Sequence, residues 1–159
     1  MTEAQPPSHY DSSGRPRMVD VGAKNVSSRR AVAQGRISFS PQTAEAIRDG
    51  RVPKGNPFEI ARIAGIQAAK QTADLIPLCH PLRITFVDLA IEVREQDRVA
   101  VVTATVAAEE KTGVEMEALV ACATALLTIY DMLKALDPTM VIGPIEVIEK
   151  RGGKADYKK

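Results

Sequence analysis

Cysteine is nearly absent from this 159-residue chain: Cys79 and Cys122 are the only two, far apart and outside any paired-cysteine motif. That excludes a zinc framework built on thiolate pairs and a disulfide scaffold, and both thiols are expected to be reduced. Histidine is as scarce, with only His9 and His80. No apolar run reaches the ~20 residues that span a bilayer. The longest, ALVACATALLTIY at 118–130, reads as a buried helix, so no membrane partner is expected. An excess of either charge is missing too. Lys and Arg number 21 against 20 Asp and Glu, which argues against holding a long nucleic acid by phosphate neutralisation. Neither GxxxxGK(S/T) nor GxGxxG occurs, so no P-loop and no dinucleotide fold is signalled. The opening residues lack the apolar stretch of a secretory signal. The expectation is an intracellular, cytoplasmic protein of one domain over 1–159, with polar tails at 1–17 and 151–159.

What is present is a regular succession of elements. The pattern predicts a strand from Arg29 to Phe39, then a short helix with Ser40 as cap, Pro41 at its first position and Gly50 as its stop. A loop containing Pro53, Lys54 and Gly55 follows. Asn56, Pro57 and Glu59 open a second helix, with Phe58, Ile60, Ile63, Ile66 and Ala69 on its apolar side and an end near Pro77. Two runs rich in Val, Ile and Thr, Arg83–Val93 and Arg98–Ala107, predict a hairpin. The longest helix is expected to start at Thr112, with Glu115 returning the capping bond, and to run to about Leu136. It is apolar nearly all round, so it needs cover on more than one side, which a subunit neighbour would supply. A last strand occupies MVIGPIEVIE at 140–149. The fold class is α+β: a ferredoxin-like βαββαβ unit with an added helix, its helices on one face of a mostly antiparallel sheet.

Ionisable residues in apolar surroundings are the candidates for chemistry, because burying them is costly unless they are paired or used. Glu115 and Glu117 open the long helix, about 200° apart around its axis, so one can cap while the other points into a pocket. Two solvated first-turn acids are the plainer alternative. Asp131 and Lys134, three apart in YDMLKAL, are close enough to pair, although a surface pair would contribute little. Glu117 and Asp131 project to similar sides of the helix but stand about 21 Å apart along it. One helix therefore cannot deliver both to one small ligand, whereas two antiparallel copies from two subunits could. In LCHPL, prolines hold His80 steady; with so few other histidines it is a poor metal ligand, and Cys79 reads as packed or pocket-lining. Lys24, Arg29, Lys54, Lys134, Lys150 and Lys154 lie in or beside turns and element ends, where cations can hold phosphate oxygens.

The stretches MVDVGAK, GNPFEIARIAGIQAAKQTADLIPLCHPL, KTGVEMEAL, LTIYDMLKA, MVIGPI and KRGGK, in that order and spacing, resemble the MoaC family, the cyclic pyranopterin monophosphate synthases of molybdenum cofactor biosynthesis. The resemblance runs from about Ser8 to Lys154. It implies conversion of (8S)-3′,8-cyclo-7,8-dihydroguanosine 5′-triphosphate, a nucleotide-derived small molecule, to cyclic pyranopterin monophosphate, a lyase reaction releasing pyrophosphate. It also implies a homohexamer, a trimer of dimers with sites at the dimer interface. Carried over residue by residue, Asp131 matches the catalytic aspartate, Lys134 its lysine neighbour and Lys54 an essential lysine. Leu78, Cys79 and His80 match a substrate-binding segment, as do Met116 and Glu117 with Glu115 beside them, while Lys24, Arg29 and Lys150 match basic residues of the pocket. The resemblance implies no required cofactor and no bound metal, and leaves open Mg²⁺ carried with the triphosphate. Lys54 and Lys134 are the expected general acid/base groups, with pKa values lowered in a cationic, partly dry pocket and Asp131 orienting Lys134. A pterin or nucleotide carrier without chemistry and a purely structural oligomer are the rival readings.

Overall fold

Apolar residues alternate along three long strands, and a computed structural model, describing residues 9–153 and 155–159, pairs those strands into one sheet. The elements are β1 (Ser27–Ser38), α1 (Pro41–Arg48), α2 (Pro57–Lys70), α3 (Thr72–Leu75), β2 (Ile84–Arg94), β3 (Val99–Glu110), α4 (Glu115–Leu133), β4 (Val141–Arg151) and β5 (Tyr157–Lys158). Strand order is β2-β3-β1-β4-β5 with every neighbouring pair antiparallel. This is the α+β, ferredoxin-like arrangement expected, with extra helix before β2. Residues 1–8 of the expected N-terminal tail, and Lys154, lie outside the described residues.

One sheet face carries Ala31, Ala33 and Ile37 of β1 with Val102, Ala104 and Val106 of β3. These pack on Leu126, Ile129 and Leu133 of α4, all fully buried. At about 25 cal/mol per Å² this continuous apolar layer is the main source of stability. Helix starts follow their local chemistry. Ser40 accepts from Thr43 N at 3.3 Å, and Asn56 Oδ1 accepts from Phe58 N at 3.0 Å and Glu59 N at 3.3 Å, each just ahead of a proline at the first position.

Several boundaries and faces differ from expectation. α2 does not run to Pro77: it ends at Lys70, and the chain rewinds for one turn as α3. There the Thr72 hydroxyl donates back to Ala69 O at 3.0 Å. The buried side of α2 is Pro57, Ala61, Gly65, Ala68 and Ala69, whereas Ile60 and Ile63 are exposed. Small residues win that face because α2 lies hard against α4: a Cβ on Gly65 would come within 2.8 Å of the Ala121 carbonyl oxygen. α4 begins at Glu115 with Val114 at the cap position and no side-chain capping bond, so Thr112 does not cap it. Glu115 turns instead toward Lys150. α4 stops at Leu133, three residues short of the expected end. Its Leu127 stays 61% exposed, in line with half-buried Met116, Val120 and Ala123. The expected polar tail at 151–159 contains β5, which pairs with β4. In the 9–17 segment Asp11 Oδ1 accepts from Ser13 N and Arg15 N, both at 2.9 Å, and Tyr10 bridges to Pro16.

Candidate functional site

The loop ahead of α2 and the last turn of α4 meet in a three-residue cluster. Lys54 Nζ donates to Asp131 Oδ2 at 3.0 Å and to Asp131 O at 2.9 Å. Lys134 Nζ pairs with Asp131 Oδ1 at 2.6 Å, one turn along the helix. Each side chain is about half exposed, 44% for Lys54 and 54% for Asp131. Hydrogen bonds from Lys134 and then Lys54 hold the Asp131 carboxyl below the usual carboxylate range. The same carboxylate raises Lys134 above the ordinary lysine value. That corrects the expected lowered pKa for Lys134: in one chain the dominant neighbour is an anion, which favours the charged amine.

A second cluster surrounds the other end of α4. Leu78, Cys79 and His80 from the turn after α3, Glu115, Met116 and Glu117 from the first turn of α4, and Lys24 line a cleft of about 330 Å³. The turn is closed by Cys79 N donating to Ile76 O at 3.0 Å. His80 Nε2 lies 2.8 Å from the Val19 carbonyl. A carbonyl only accepts, so Nε2 carries hydrogen and donates. Burial, with the Glu117 charge adding to it, pushes the Cys79 thiol up, the direction opposite to an activated nucleophile. Cys122, fully buried in the core, is pushed up to about 12 by burial.

Lys24, Thr112 and Gly113 also line an adjoining cleft of about 900 Å³, together with Arg29, Lys111, Lys150 and Tyr157. Lys150 Nζ pairs with Glu115 Oε1 at 3.0 Å. Arg29 is largely engaged by the backbone: Nε donates to Glu110 O at 3.1 Å, Nη2 to Lys111 O at 3.4 Å, and Nη1 to Gly152 O. It thereby ties the β3–α4 loop to the turn after β4. Lys111 Nζ donates to Gly22 O at 2.6 Å, fixing the N-terminal segment over the same loop.

Of the two first-turn acids, Glu117 is the buried one, at 3% exposure, while Glu115 is paired at the rim. Two solvated acids is therefore not the arrangement found. Desolvation raises the Glu117 pKa, with the Glu115 charge adding to it and a bond from its own backbone N–H opposing. A carboxyl whose folded pKa lies above its unfolded value, near 4.3, stabilises the fold fully below that value, and the contribution disappears as pH rises through the folded pKa. Above that window the charged, buried carboxylate opposes folding. Glu117→Gln is therefore expected to be more stable than the parent at pH 8 by about 1–3 kcal/mol, with the gap closing toward pH 4. Urea unfolding at both pH values checks this, and a gap that does not change with pH would refute it.

The residues singled out from the sequence thus fall into two groups that one chain keeps apart: Lys54, Asp131 and Lys134 at the end of α4, and the remaining nine around its start. Sequence reasoning passed over His9, Val19 and Val21, which line the first cleft, and Lys111, Thr112 and Tyr157, which line the second. Lys111 and Thr112 stand inside the KTGVEME stretch and were within reach; Tyr157 acquires its place only through strand pairing.

Comparison with known proteins agrees across nearly the whole chain. A family model described as the MoaC family matches residues 18–153. A protein of Thermomicrobium roseum named cyclic pyranopterin monophosphate synthase is 52% identical over 147 residues, 92% of this chain and 89% of that one. One of the same name from Parvibaculum lavamentivorans is 51% identical over 94% of each chain. A third, from Heliobacterium modesticaldum, is 49% identical over 96% of each.

Proposed function

The chain belongs to the MoaC family, and from that premise we propose that it is a cyclic pyranopterin monophosphate synthase of molybdenum cofactor biosynthesis. Its reaction converts (8S)-3′,8-cyclo-7,8-dihydroguanosine 5′-triphosphate to cyclic pyranopterin monophosphate and pyrophosphate. The observation that carries this reading is half identity to proteins of that name over nine-tenths of both chains. The two clusters suit the chemistry. A ring must be opened and rebuilt by proton transfers, and the α-phosphate must then be attacked so that pyrophosphate leaves.

In this reading the catalytic groups are Lys54, Asp131 and Lys134. Lys134, kept protonated by Asp131, serves as a proton donor, and Lys54, held on the same carboxylate, is the second proton carrier. Leu78, Cys79, His80, Met116 and Glu117 hold the purine-derived part, with Glu115 at the rim. Lys24, Lys111 and Lys150 neutralise the triphosphate and the leaving pyrophosphate, and Arg29 shapes the wall beside them. Because α4 separates the clusters, each site draws its lysine–aspartate cluster from one subunit and its clefts from another. The open stripe of Met116, Val120, Ala123 and Leu127 on α4 suits a second copy packed antiparallel. A hexamer assembled from such dimers, working in the cytoplasm without a resident metal or cofactor, completes the reading.

The test is to incubate the purified protein with enzymatically made cyclic dihydro-GTP intermediate, with and without Mg²⁺, and to follow pyrophosphate and the oxidised fluorescent product. Both are expected to appear. Tight binding without turnover would favour a carrier, and neither binding nor turnover would leave only the fold.

A further inference from the structure

The last segment of the chain folds back where a polar tail was expected. β5 pairs with β4 in the register Lys150↔Tyr157 and Glu149↔Lys158. Directly opposed residues of an antiparallel ladder project to the same face, with Cβ atoms about 5 Å apart. Lys150 reaches Glu115 and lines the cationic cleft, so its cross-strand neighbour Tyr157 projects to the cleft side, and it lines that cleft. The opposite face carries the fastening: Arg151 Nε lies 2.7 Å and Lys158 Nζ 3.8 Å from the Glu149 carboxylate. Lys159 N donates to Ile148 O at 2.9 Å, and the Lys159 ammonium pairs with Glu146.

The turn of this hairpin is anchored as firmly as its arms. Gly152 takes a φ of +83°, and its N–H donates to Asp156 Oδ1 at 2.9 Å. Its carbonyl accepts from Ser27 Oγ at 3.3 Å and from Arg29 Nη1. A Cβ at this glycine would fall on the Ser28 carbonyl oxygen, so the turn is seated directly on β1. The hairpin is therefore a built wall of the cleft. Along it Asp156 carries the negative charge, while Tyr157, at 45% exposure, adds a hydroxyl to the cleft that Lys150 and Lys24 also line.

We propose that Tyr157 is a ligand-contacting residue of the cationic cleft, its phenol donating a hydrogen bond to the outer phosphate of a polyphosphate chain. The inference rests on the synthase reading and extends it to a residue outside the lysine set. A neutral donor at the open wall suits the part of the ligand that must leave as pyrophosphate, because it binds less strongly than another ammonium would. Asp156 on the same wall confines the anion to the space between Tyr157 and the lysines.

The experiment titrates inorganic pyrophosphate calorimetrically into the full chain, its Tyr157→Phe variant and its Tyr157→Ala variant, with unfolding curves alongside. Loss of a hydrogen bond to a charged group predicts about 10-fold weaker binding for Tyr157→Ala. Tyr157→Phe, which loses only the hydroxyl, is expected to be weakened as well. Binding by Tyr157→Ala within twofold of the parent would overturn the proposal while leaving the synthase reading intact. A parent protein that binds neither pyrophosphate nor the cyclised triphosphate would overturn both. Should Tyr157→Ala fail to fold, amide exchange in the unaltered protein decides: pyrophosphate is expected to slow exchange at Tyr157–Lys159, and unchanged rates would overturn the assignment.

Discussion

Replacing Lys54 by alanine is expected to lower turnover by about 10²- to 10⁴-fold, the range for losing a positioned proton carrier. Stability should stay within about 0.5 kcal/mol of the parent, as for most surface substitutions. The geometry explains the asymmetry. The Lys54 ammonium makes its two bonds to Asp131, at its carboxylate and its carbonyl, on a half-exposed surface, so its removal opens no cavity. Lys134 remains to neutralise Asp131 at 2.6 Å. Steady-state assays and thermal unfolding on the same preparation separate the two effects. Parental turnover in a folded Lys54→Ala protein would remove Lys54 from the mechanism.

Mixing two inactive variants is expected to restore activity. Lys54→Ala damages the cluster at the end of α4, and Lys150→Ala damages the cleft at its start. If each site spans two subunits, a mixed dimer has one site with both lesions and one with neither. Random exchange makes half of the dimers mixed, so about a quarter of parental activity should return. A site complete within one chain would return none, because every chain in the mixture carries a lesion. The experiment therefore reads the composition of the site without needing a structure of the assembly. Its premise is a distance: Glu117 and Asp131 stand about 21 Å apart along one continuous helix.

That distance is legible in the sequence, since it needs only helical rise and the positions of two acids. The Asp131–Lys134 pair was legible for the same reason, being three apart on a helix. Apart from α3 and β5, strand and helix identity followed from periodicity and from turn residues, and Ser40 and Asn56 open their helices as read. What stayed hidden depends on long-range packing. The large apolar side chains of Ile60 and Ile63 suggested the buried side of α2, yet close helix contact selected Ala61, Gly65 and Ala68. Nothing local distinguishes Glu117 from Glu115; the difference arises because the 78–80 turn covers one side of α4 and Lys150 the other. Arg29 looked like a phosphate ligand, and only tertiary structure reveals three carbonyls around its guanidinium.

The bare backbone at Gly65 has a mechanical consequence. α2 and α4 run in opposite directions, so the Lys54 loop meets the end of one helix while the 78–80 turn meets the start of the other. Gly65 rests on Ala121 between those two places and acts as a fulcrum. A methyl group there would tilt one rod against the other, and the displacement would grow toward the tips, where the lysine–aspartate cluster and the cleft reside. A single hydrogen atom in the middle of the helix pair thus sets the alignment of both working ends.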